Sequence, residues 1–189
     1  MKLSAVVLVV VTLLAIGCSQ PASPAGPSPA LPGNAARAAG DAVDGTEKAT
    51  LVTVPFKGRL QGEADPPVFE PPPSTYFTAH LQADGEATHL GRFTMDFSHR
   101  VNLVSLVGIG TAVFTAANGD RLMTDVQGEA TPAGTPTQFT IVETHTVTGG
   151  TGRFASARGE LRISRAVDFL DPSTSGEIDG WISAPGDRF

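Results

Sequence analysis

Glu143 and His145 stand two residues apart in a β-rich run spanning 137–148, so period-2 alternation sends both side chains to one face. Phe139, Ile141 and Val147 share that face, which marks it as inward-facing or as an interface. A carboxylate in such surroundings is pushed toward its neutral form by desolvation and could then act as a general acid or base. Arg92, or Arg100 on the same face of another run, could pair with Glu143. The alternative is a solvated face, and Val142 among threonines does not choose between the two. Glu143, Arg92 and His145 are therefore candidate lumen-lining residues, and no residue is assigned a catalytic role.

The other chemistry-bearing residues are sparse. His80, His89, His99 and His145 show neither the HxH nor the HxxxH spacing of common metal sites, so no metal and no cofactor are expected. Strand pairing could still bring Glu143 and His145 to His80 or His89. Serine hydrolysis lacks its GxSxG turn.

Gly149-Gly150-Thr151-Gly152-Arg153-Phe154-Ala155-Ser156-Ala157-Arg158-Gly159 could suggest a phosphate cradle. It lacks the GxxxxGK[ST] pattern, however, and no helical pattern follows it. The spacing predicts a tight structural turn in which Gly149, Gly150 and Gly152 supply positive φ angles. Phe154 would then plug a barrel end, and Gly159 would let the next strand bend.

These residues need a scaffold, and the composition bounds it. The chain has 189 residues and a formal net charge of -6, with no basic run, which argues against a nucleic-acid partner. Met1-Lys2, an apolar run over residues 3–16 and Gly17-Cys18-Ser19 form an export signal. Ala15-Ile16-Gly17-Cys18 resembles the bacterial lipobox, which implies cleavage before Cys18, its lipidation and a membrane anchor. Ser19 resembles the outer-membrane sorting pattern. The expected organisation is a signal peptide at 1–17, a Pro/Ala/Gly-rich flexible linker at 18–46 and a folded domain at 47–189. The linker cannot bury enough apolar surface to offset chain entropy. An ordinary secretory signal is the alternative.

Within the domain, eight β-rich runs are separated by turn signals. They cover 50–60, 76–82, 86–101, 103–116, 120–130, 137–148, 160–169 and 176–183. Asp84-Gly85, Asn118-Gly119 and Asp171-Pro172-Ser173 are read as turns, and the Pro-rich residues 62–74 as a long loop, functional or disordered. No amphipathic helix follows the signal. The expected fold is all-β, an eight-stranded antiparallel up-and-down β-barrel with a disordered N-terminal tether. A Greek-key sandwich is the alternative.

Thr88-His89-Leu90-Gly91-Arg92-Phe93-Thr94, Ala116-Ala117-Asn118-Gly119-Asp120 and residues 149–159 resemble a widespread group of bacterial exported proteins. The last segment also resembles the glycine-rich segment of plant dirigent proteins and allene oxide cyclases. That resemblance, over roughly residues 51–182, implies a calycin-type barrel and assembly as a homo-dimer or homo-trimer. It carries over architecture and no active site.

Three functions are consistent with these features. The first is a non-enzymatic, lipid-anchored protein of the bacterial cell envelope, in the outer membrane, whose barrel binds a small apolar ligand or a protein. The second is an isomerase- or cyclase-like enzyme by fold analogy. The third is a structural oligomer, because the run at 103–116 is apolar on both faces.

Overall fold

The structure, a computed structural model, describes residues 52–186. The signal segment, Cys18, the linker and the first residues of the expected 47–189 domain lie outside the described residues.

Nine strands follow one another: β1 (Thr53–Ala64), β2 (Val68–Phe69), β3 (Tyr76–Ala87), β4 (Gly91–Asn102), β5 (Val107–Ala116), β6 (Arg121–Pro132), β7 (Gln138–Gly150), β8 (Gly159–Asp168) and β9 (Asp171–Ser183). β1 and β3–β9 pair antiparallel in chain order, and β1 closes the ring by pairing with both β9 and β3. The fold is the eight-stranded up-and-down barrel expected from the sequence, not a sandwich. β2 is an extra short strand on β3, with Val68 opposite Thr78.

Alternation explains the inside and the outside. On β4, Phe93, Met95 and Phe97 are buried in the lumen, while Arg92, Thr94, Asp96 and Ser98 face out. At the β1–β3 seam Gly58 and Gly62 lie opposite Ala87 and Ala83. A Cβ at either glycine would stand 2.6 Å from the facing alanine Cβ, so this seam closes only on small residues. On β5 the outer face carries an exposed Ile109 and a half-buried Val113.

Three local expectations are corrected. Asp84-Gly85 is not a turn. β3 runs through it to Ala87, and the chain reverses at residues 88–90, with His89 at φ 63. Gly85 is small because the Phe93 ring lies where its Cβ would project. Asp171-Pro172-Ser173 belongs to β9, and the turn is Phe169-Leu170. Pro172 falls in the bulge where the β8–β9 register shifts, so its missing N–H breaks no ladder there. The Pro-rich residues 62–74 are ordered in part by β2. There Glu70 accepts hydrogen bonds from Arg100 Nη2 at 2.9 Å and from Ser74 Oγ at 2.6 Å, and Arg100 stacks over Tyr76 at 3.6 Å.

The two barrel ends differ. The turns at 88–90, 117–120 and 151–158 gather at the end where β1 begins and β9 finishes. Phe154, on a 3₁₀ turn (Gly152–Phe154), is fully buried there with Leu90 and Ala157 and closes that end. Burying a Phe side chain stabilises by roughly 1.5–3 kcal/mol. At the opposite end inward-facing Ala79, His99, Val101, Ala130, Ile141 and Val167 are only half-buried, so solvent reaches the lumen. The rim of that open end is apolar, with Val104 and Leu170 70% and 68% exposed beside Phe69, Leu103 and Phe169. Phe69 packs on Phe77 and Phe169 on Phe139, with centroids 5.6 and 5.1 Å apart, so the rim continues into the mouth.

Candidate functional site

The polar residues inside the barrel come from β4, β6, β7, β8 and β9, the last contributing Thr174, whose Oγ1 donates to the Ala166 carbonyl. Glu143 points inward from β7 because it shares the parity of Phe139 and Val147, both buried. Gly128 lies directly opposite on β6. A Cβ there would come within 2.8 Å of Glu143 Cγ, so the glycine makes room for the carboxylate. Arg165 reaches it from β8 on the diagonal, since Glu143 faces Ile163 and Ile141 faces Arg165. Arg165 Nη2 donates to Glu143 Oε1 at 2.7 Å, and Nε donates to both carboxylate oxygens at 3.1 and 3.2 Å. Glu143 and Arg165 are 3% and 5% exposed.

Above this pair His145 is fully buried between aromatic rings, with Phe97 and Phe114 centroids 5.9 and 5.8 Å away. Its Nδ1 shares a 3.0 Å hydrogen bond with Thr124 Oγ1. Its Nε2 lies 3.8 Å from Glu143 Oε2, too far for a hydrogen bond, and has no hydrogen-bond partner. His99 enters from β4, across the ring from β8, and stacks on Phe97 at 4.4 Å. Its Nδ1 also lacks a partner.

Burial pushes the Glu143 carboxyl up, but His145 and Arg165 more than offset this and hold it well below the usual carboxylate range. Arg165, in direct contact, is the dominant partner, because His145 stands farther off. The upward pKa shift expected for a carboxylate in an apolar lumen is thus overturned. A carboxylate held ionised by a bidentate arginine is not a general acid. Burial, together with the Arg165 charge, pushes the His99 imidazole down to about 4. Thr124, His145 and Glu143 place hydroxyl, imidazole and carboxylate in a line. With the hydroxyl's residue 2% exposed and the carboxylate engaged by Arg165, that line is packed as part of the core.

The structure places the other candidates elsewhere. Arg92 is exposed on the outer face of β4 opposite Glu86, so it does not line the lumen or pair with Glu143. Arg100 is held by Glu70. His89 sits exposed in the 88–90 turn. His80 is on the outside, with Nδ1 3.0 Å from Asp65 and Nε2 3.1 Å from Asp96, and Asp65 above all pushes its pKa up. Neither His80 nor His89 joins Glu143 and His145, and no metal-binding cluster is found among the described residues. In the glycine stretch Gly149 and Gly152 take positive φ angles of 139 and 57, whereas Gly150 does not. Gly150 and Gly159 instead lie against the backbone of Arg121 and Trp181. The stretch joins β7 to the adjacent antiparallel β8 through a 3₁₀ turn, a longer connection than a tight hairpin.

Arg165, and the inward place of His99, were not read from the sequence, although each carries the same signal as Glu143. Arg165 alternates with Leu161, Ile163 and Val167, and His99 with Phe93, Met95 and Phe97. Comparison of the chain with family models, with curated proteins and with solved structures found no match.

Two predictions follow from this geometry. Glu143→Leu or Arg165→Met alone, each leaving a buried charge unpaired, should each lower the unfolding free energy by about 3–5 kcal/mol, and the double variant by less than either single. Denaturant titration of the four proteins measures this, and a double variant costing the sum of the singles would refute the coupling. The second concerns acid. His99 titrates at about 4 when folded against 6.5 ordinarily, so its stabilisation is complete above 6.5 and is lost as pH falls from 6.5 to 4. Glu143, lowered from 4.5, adds a loss that begins as pH falls through 4.5. His80, raised above 6.5, contributes its share below that value and so causes no loss in this window. His99→Phe should flatten the stability profile between 6.5 and 4 and spare the steeper fall below it. Parallel profiles for variant and parent would contradict the assignment.

Proposed function

We propose that the protein is a lipid-anchored component of the bacterial cell envelope whose barrel holds a small apolar ligand, taken in through the open end. The observation that carries this reading is the asymmetry of the lumen. One end is sealed by Phe154, while at the other inward side chains such as Ala79, Val101, Ala130 and Ile141 are only half-buried inside an apolar rim. An eight-stranded barrel has an interior that either side chains or one small ligand fills. The anchor rests on Cys18 behind the apolar run 3–16, and Ser19 favours the outer membrane. β1 begins at the sealed end, so the mouth lies at the opposite end of the barrel from Thr53. The likeness of residues 149–159 to dirigent proteins and allene oxide cyclases supports the calycin-type architecture and says nothing of its occupant.

Cell fractionation with the full chain and with Cys18→Ser tests both halves. The parent should sediment with membranes and Cys18→Ser should be soluble. Native mass spectrometry of the released Cys18→Ser protein should show an added small-molecule mass that is lost on denaturation. Unchanged membrane association of Cys18→Ser would overturn the anchor, and a bare polypeptide mass would count against a resident ligand.

A further inference from the structure

The floor of the lumen holds polar capacity that the protein itself does not use. Arg165 commits Nε and Nη2 to Glu143, and Nη1 has no hydrogen-bond partner among the described residues. His99 Nδ1 is buried and unpartnered, and so is Nε2 of the fully buried His145. A buried polar atom without a partner costs about 1–3 kcal/mol, so His99 Nδ1, which faces the open part of the lumen, calls for an occupant that completes it, and Arg165 Nη1 is a spare donor that is not among the fully buried atoms. The walls leading to this floor from the mouth are mainly apolar, formed by Phe77, Val101, Phe139, Ile141 and Val167, with the Thr174 hydroxyl already bonded to the Ala166 carbonyl.

We infer that the lumen takes an uncharged apolar molecule bearing one hydrogen-bond-accepting oxygen, a ketone, ester or alcohol, with that oxygen on Arg165 Nη1 and His99 and the hydrocarbon toward the open end. The inference rests on the open-lumen reading above and specifies its ligand. The charge count selects a neutral head group. Glu143 and Arg165 cancel each other, and burial keeps the facing His99 imidazole neutral near pH 7. A ligand carboxylate would stand beside Glu143 without a counter-ion of its own, and a ligand ammonium would stand beside Arg165. Either would bring an uncompensated charge out of water. A neutral oxygen meets an existing donor and adds no charge.

Decanone, decanoate and decane share one chain length and differ in the head group. Each is titrated calorimetrically at pH 7 into the full-chain Cys18→Ser protein, into the same protein carrying Glu143→Leu and Arg165→Met, and into the same protein carrying His99→Phe. Decanone should bind at least about tenfold more tightly than decanoate or decane, and the advantage over decane should shrink in the double variant. His99→Phe should weaken decanone and leave decane unchanged, which keeps the test valid should the double variant fail to fold. Decanoate binding as tightly as decanone would overturn the neutral-head inference. Equal binding of decanone and decane would overturn the role of Arg165 and His99 while leaving the lumen reading standing. No binding of any of the three would overturn the lumen reading together with the inference.

Discussion

Two charges brought out of water into a closed barrel have to neutralise each other, because each alone would cost several kcal/mol in desolvation. Glu143 and Arg165 do this across the β7–β8 ladder, with Gly128 opposite the carboxylate giving it space. Much of the interior follows from that pair. It sets the acidity of Glu143, contributes to the neutral state of His99, and leaves one guanidinium nitrogen without a partner among the described residues. It also divides the lumen. On one side Phe97, Phe114 and His145 are fully buried, and on the other Ala79, Val101, Ala130, Ile141 and Val167 are only half-buried beside the buried Phe77 and Phe139.

Closure of the ring is what gives the pair its setting. A barrel has no edge to protect, so its strands can alternate strictly between core and solvent. The seam between β1 and β3 meets that requirement with Gly58 and Gly62 against alanines. Phe154 then seals one end, and the opposite end keeps Phe69, Leu103, Val104, Phe169 and Leu170 exposed around its rim. An apolar rim leading to half-buried apolar walls is the arrangement from which the proposed ligand binding is drawn.

Much of this was legible in the residues. The order of β-rich runs carries the up-and-down barrel, and the parity of Phe139, Glu143, His145 and Val147 carries the inward face of β7. Other features depend on contacts that local patterns do not encode. Asp84-Gly85 has the chemistry of a hairpin, yet the glycine serves the Phe93 ring across the strand pair, and the chain continues straight. Arg92 has the charge to match Glu143 and the wrong parity, while Arg165 has both. Arg165 was obscured by Arg162 and Ser164, which give its strand a polar look, although Leu161, Ile163 and Val167 share its face. The acidity of Glu143 could not be read from its apolar neighbours alone. Its sign is set by Arg165, a residue more than twenty positions away.

The central claim is that the lumen is open at one end only, and thiol reactivity measures it directly. In the Cys18→Ser chain, single cysteines replace Ala79 or Ala130 near the open end and Ala112 or Ala116 deeper in the sealed part. A small water-soluble maleimide is then applied under native conditions. The account predicts that cysteines at 79 and 130 react at rates approaching those of the denatured chain, while those at 112 and 116 stay protected. Equal protection at all four positions would contradict it.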